Sequence, residues 1–139
     1  MKPSELRIGN WIKTESHDYN HDLHTSQIEI GSIESIHLYD VFFRSQENDD
    51  LIKYDYNQIE PIPLTSEWLE RFGFEKDDSR RTESHPYTDY EKSGVRIDLP
   101  YFEFHFNNCD SGIDIEYVHQ LQNLYFALTG QELELKELA

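Results

Sequence analysis

Apolar residues in the first half of the chain recur at every second position in short runs. Leu6 and Ile8 alternate with polar neighbours, and Gly9 and Asn10 interrupt before Trp11 and Ile12. That is the pattern of a short strand broken by a bend or bulge. Residues 17–26 are polar and predict a loop. Residues 27–36 carry Ile28, Ile30, Ile33 and Ile36, with a change of parity around Gly31 that predicts a bulge or sharp bend. Tyr39, Val41 and Phe43 fall on one face of a further strand, residues 46–50 predict a turn, and residues 51–56 a return strand. Strands this short and closely spaced predict a curled antiparallel sheet or a small SH3-like barrel.

The second half changes period. Residues 59–64 hold Pro61 and Pro63, which remove ladder donors and predict an extended connector. Thr65 is a good N-cap for a short helix in which Trp68, Leu69 and Phe72 share a face. Gly73 and then Phe74 stand where a left-handed helix cap and its apolar contact belong. Residues 75–86 are polar and predict a loop. Residues 87–91 and 95–99 predict a hairpin around Lys92, Ser93 and Gly94, with Val95, Ile97 and Leu99 on one face. Beyond Pro100, Phe102, Phe104 and Phe106 point one way and Tyr101, Glu103 and His105 the other. Residues 107–112 predict a turn. A last helix is expected over 116–129, closed by Gly130, and Leu133 and Leu135 belong to an edge strand or tail.

These elements predict an α+β fold: the N-terminal sheet or barrel, a short helix, a β-meander, and a C-terminal helix packed on the sheet. A length of 139 residues fits a single domain, 1–139, with sub-units 1–63 (β-rich) and 64–139 (αββα). A hydrophobic fraction of 37% is low, but 14% aromatic residues supply large rings for the core and exclude a fully disordered chain. The lone Cys109 excludes an internal disulfide. No apolar run follows Met1, Lys2 and Pro3, and no stretch reaches membrane-spanning length, so a cytoplasmic, membrane-free protein is expected.

Charge alters the picture most. Twelve Lys and Arg against 28 Asp and Glu give a net charge of −16. Such a field repels nucleic acid and anionic lipid and favours a basic protein partner. In contrast, positions 117–131 hold no charged residue, where a window of that length in a chain 29% charged would hold about four. Tyr117, Val118, Leu121, Leu124, Tyr125 and Leu128 cover a broad apolar arc, wider than an ordinary surface helix presents. Phe126 lies outside it beside His119, Gln122 and Asn123. A central helix accounts for the arc, and a partner or self-association surface around Phe126 and Gln122 is the functional alternative.

Candidate chemistry is sparse. His17, His21 and His24 would align three imidazoles if helical, a set suited to zinc or nickel. The segment has no thiolate and no apolar frame, so a solvated loop is the expected reading and no metal is assigned. Asp98 and Glu103 could face each other across strands as a carboxylate dyad, but chance acidic pairs are expected among 28 acids. Carboxylates near Cys109 would blunt its reactivity. No phosphate-cradling glycine loop, nucleophile elbow or paired-cysteine motif is present, and no cofactor is implied.

Three blocks carry a resemblance: residues 4–11 (SELRIGNW), residues 59–74 (IEPIPLT, then Trp68, Leu69 and Phe72-Gly73-Phe74), and residues 117–130 (YVHQLQNLYFALTG). Together they are similar to a family of short, uncharacterised proteins of bacteria of the Bacteroides and Flavobacterium group and their phages. The resemblance implies a bacterial or phage origin and carriage on mobile elements. It brings no activity, cofactor or catalytic residue with it.

The expectation is therefore a non-catalytic acidic protein-interaction module. Its surface would comprise Trp11, Tyr87, Tyr90, Tyr101, Glu103, His119, Gln122 and Phe126, with self-association through the helix at 117–129 as a further option. Two alternatives accompany it: a phage-type inhibitor that mimics nucleic-acid charge against a basic host protein, and a small metal-dependent hydrolase.

Overall fold

The structure is a computed structural model that describes residues 1–17, 26–79, 81–84, 86–107 and 109–136, and all of their side chains except those of 15–17, 26 and 27. The fold is α+β, with two five-stranded antiparallel sheets and two α-helices. The chain divides into two compact units, Met1–Ile62 and Pro63–Ala139. No helix among the described residues is long and apolar enough to cross a membrane.

The first unit contains β1 (Trp11–His17), β2 (Ser26–Ile36), β3 (Asp40–Ser45), β4 (Leu51–Asp55) and β5 (Ile59–Glu60). They lie in the order β4-β3-β2-β1-β5, an open sheet and not the closed barrel that was the alternative expectation. Leu6, Ile12, Ile33, Val41, Phe43 and Ile59 form its core. The parity change in β2 falls three residues later than expected. Ile33 pairs with Phe43 and Ser35 with Phe42, so Glu34 is the extra residue of the bulge. The bulge turns Ile36 back toward the core and leaves Ile28 exposed. Two further expectations fail at strand ends. Ile8 is exposed in a turn, and Tyr39 is exposed in the bend before β3, because neither position is yet in the ladder.

Gly31 has a different role from the one its parity suggested. A Cβ there would overlap the Arg44 carbonyl oxygen and the Phe43 ring. The missing side chain lets the Phe43 ring lie over β2, where it also meets Tyr54 edge-on with centroids 5.5 Å apart.

The second unit runs α1 (Ser66–Arg71), β6 (Glu75–Asp77), β7 (Thr88–Lys92), β8 (Val95–Leu99), β9 (Glu103–Phe106), β10 (Cys109–Asp114) and α2 (Val118–Thr129). Thr65 caps α1 by accepting from the Trp68 amide. Gly73 at φ 89° ends it, with Phe74 N–H donating to the Leu69 carbonyl and Gly73 N–H to that of Glu70. These are the two bonds of a Schellman cap. The strands form a meander, β10-β9-β8-β7-β6. The edge strands β6 and β10 replace the expected loop and turn. Every residue in them is exposed, so they carry no apolar alternation that would have marked them as strands.

One face of the meander is apolar: Tyr90, Val95, Ile97 and Phe104 are buried. From α2, Val118, Leu121 and Tyr125 are buried with them. Lys92 Nζ stands 6.0 Å over the Tyr125 ring, and Phe74 meets the same ring edge-on. The opposite face carries the acids of the same strands, whereas Lys76 and Lys92 share the face of Tyr90 and Val95.

Two glycine substitutions test this account. Gly31→Ala should destabilise the protein by about 1–3 kcal/mol through overpacking. Gly73→Ala should cost about 1 kcal/mol, the cost of a left-handed residue with a Cβ. Urea unfolding of each variant reads both, and a neutral Gly31→Ala would refute the close approach.

Candidate functional site

The register of the meander lines up its acids. Asp77 of β6 pairs with Asp89 of β7, Asp89 with Asp98 of β8, Asp98 with Glu103 of β9, and Glu103 with Asp114 of β10. One carboxylate from each of five strands thus stands in a single row. A second row runs Glu75, Glu91, Arg96, His105 and Asp110. The outer members, Glu75, Asp77, Glu91, Glu103, Asp110 and Asp114, are exposed.

The centre differs. Asp89 and Asp98 are 4% and 2% exposed. His105 Nε2 lies 3.1 Å from Asp98 Oδ2 and 3.8 Å from Glu103 Oε2. Arg96 Nε is 3.6 Å from Asp98 Oδ1, an ion pair too long for a hydrogen bond. Asp89 Oδ1 and Asp98 Oδ1 both lack a hydrogen-bond partner. Burial pushes the Asp98 carboxyl up to about 6, helped by the hydrogen bond and the negative charge of Asp89 and opposed by His105 and Arg96. The charge of one buried carboxyl disfavours charge on its neighbour, so Asp98 holds its proton to a higher pH than usual.

Local structure positions this centre. Ser93 and Gly94 form a two-residue turn with φ of 52° and 84°, which sets Asp89 opposite Asp98. On the other side, Phe102 N–H donates to the Asp98 carbonyl at 2.6 Å, closing the turn that brings Glu103 back beside Asp98.

The expected surface residues separate into groups. Tyr87 and Tyr101 come together, their rings edge to face at 5.5 Å, with Tyr101 52% exposed. They flank the strand ends from which Asp89 and Glu103 project. Tyr90 does not belong with them: it pairs with Ile97 on the apolar face and is buried. His119 and Gln122 are also buried, because α2 turns Val118, His119, Leu121, Gln122 and Tyr125 inward together. Phe126 and Leu128 are the exposed large apolar residues of that helix. Trp11 is half-buried in β1 of the other unit. Of the imidazole trio, His21 and His24 lie outside the described residues, as does the side chain of His17. Sequence reading named Asp98 and Glu103 as cross-strand neighbours but missed Asp89, Arg96 and His105 as members of the same group. The Ser93-Gly94 turn was the available signal, since a two-residue hairpin fixes 89 opposite 98.

Comparison of the chain with protein-family profiles, curated proteins and solved structures returned no match.

The Asp98 carboxyl gives a pH test. Its folded value of about 6 exceeds the ordinary 3.8, so the native state holds the proton more tightly than the unfolded chain does. Its stabilising contribution is full below pH 3.8 and is lost as pH rises through about 6. Asp98→Asn keeps a neutral group at every pH, and its amide can donate to Asp89. The variant should therefore gain stability relative to the parent as pH rises across that window. Urea midpoints measured with a chelator present check this, and parallel pH curves would contradict it.

Proposed function

We propose that this chain is a non-catalytic protein-interaction module of bacterial or phage origin that offers the carboxylate rows of its second unit to a basic protein partner. The observation that carries this reading is the set of exposed acids that the strand register gathers in these rows, Glu75, Asp77, Glu91, Glu103, Asp110 and Asp114. A net charge of −16 adds a long-range field of the same sign, which steers a cationic partner and repels nucleic acid. Tyr87 and Tyr101, just before β7 and β9, supply aromatic surface of the kind that anchors interfaces.

A sharper form of the same reading is an inhibitor that occupies a nucleic-acid-binding groove. Such a groove, lined with Lys and Arg, would meet the exposed carboxylates at the two sides of the sheet, Asp77 on one and Glu103 and Asp114 on the other.

The test uses a variant with Asp77→Asn, Glu91→Gln, Asp110→Asn and Asp114→Asn, all exposed positions whose loss leaves the core intact. Each exposed charge contributes about 0.2–1 kcal/mol to a pairing, so a basic partner should bind the variant about tenfold more weakly. A basic protein captured from bacterial lysate by the parent should be released as salt is raised to about 0.5 M, where screening shortens to a few ångströms. Retention that is equal for parent and variant and indifferent to salt would sink the reading.

A further inference from the structure

We propose that Asp98, Glu103 and His105 form a binding site for a divalent transition-metal cation. Asp98 Oδ2, Glu103 Oε2 and His105 Nε2 lie within 4.8 Å of one another, a three-ligand arrangement that sequence spacing does not announce. The imidazole nitrogen is 3.1 Å from one carboxylate oxygen and 3.8 Å from the other. A tetrahedral cation with bonds of about 2.0–2.2 Å requires ligand atoms about 3.4 Å apart. The two separations from the imidazole bracket that value, and the two carboxylates lie within 4.8 Å of each other.

The buried carboxyls supply an independent reason. Asp98 is 2% exposed, and its Oδ1 has no hydrogen-bond partner. Asp89, directly opposite, is in the same condition. Negative charge on desolvated carboxyls whose Oδ1 atoms lack a donor is relieved by positive charge nearby. Arg96 answers part of this from 3.6 Å on the Oδ1 side of Asp98. The cation would take the Oδ2 side, where His105 and Glu103 converge. Asp89 would then serve as the outer partner that fixes the Asp98 carboxylate.

The donor set decides the class of ion. Two carboxylate oxygens and one imidazole nitrogen suit zinc, manganese, cobalt or ferrous iron. Magnesium and calcium prefer all-oxygen shells, and cuprous copper prefers sulfur. Glu103 is exposed, so the ion has an entry path and water can fill the remaining position. The site is independent of the interaction reading, because it needs three side chains that the exposed-row variant leaves untouched.

The full chain, stripped with chelator, is titrated with Zn²⁺ and with Co²⁺. It carries His17→Gln, His21→Gln, His24→Gln and Cys109→Ser, so that these histidines and the exposed thiol cannot capture metal. The expected result is one equivalent bound, a visible Co²⁺ absorption band and a raised thermal midpoint. His105→Gln and Glu103→Gln should each weaken binding about tenfold or more. Glu103 is exposed, so its variant remains informative if the His105 change impairs folding. Absence of binding in this background, or an affinity that neither substitution alters, overturns the site.

Discussion

Ser93 and Gly94 leave no slack between β7 and β8. Both central residues adopt positive φ, and the turn admits only the register in which Lys92 meets Val95. Strand side chains alternate strictly, so this one connection settles which residues of β7 face the helix and which face away. Tyr90 is carried onto the apolar side with Ile97, and Asp89 is carried against Asp98. A slip of one residue would bury charge under α2 and expose the aromatic core. The desolvated acid pair follows from a register that the core requires.

That requirement explains why a costly arrangement persists. A carboxylate between two other acids is electrostatically unfavourable, and a protonated or cation-bound form relieves it. Arg96 and His105 stand in the neighbouring row and soften the field without cancelling it. The outer acids of both rows remain in water, where charge costs little. The same strands thus hold two electrostatic regimes: a dry centre in which burial raises the Asp98 carboxyl, and a wet rim of solvated acids.

Much of this was legible in the sequence, for reasons that differ by element. Thr65, the face of Trp68, Leu69 and Phe72, and the Gly73-Phe74 ending specify α1 through local chemistry alone, and the helix forms as read. The hairpin around Ser93 and Gly94 and the helix closed by Gly130 are likewise local signals. What escaped depends on tertiary context. The edge strands β6 and β10 are exposed on both faces, so no hydrophobic alternation marks them. The bulge at Glu34 is chosen by the pairing of β2 with β3, not by the glycine beside it. Gly31 is needed for the Phe43 ring, a neighbour 12 residues away in sequence. Within the candidate site, Asp98 and Glu103 could be paired on paper, whereas the burial that gives the pair its character could not.

Among the described residues β6 and β10 are the outermost strands of the meander, and each bears acids: Glu75 and Asp77 on one, Asp110 and Asp114 on the other. Fibril growth stacks identical strands about 4.8 Å apart with like side chains in register. Two copies attempting this here would bring carboxylate onto carboxylate at every step. Like charge along these strands therefore opposes edge-to-edge stacking of two copies.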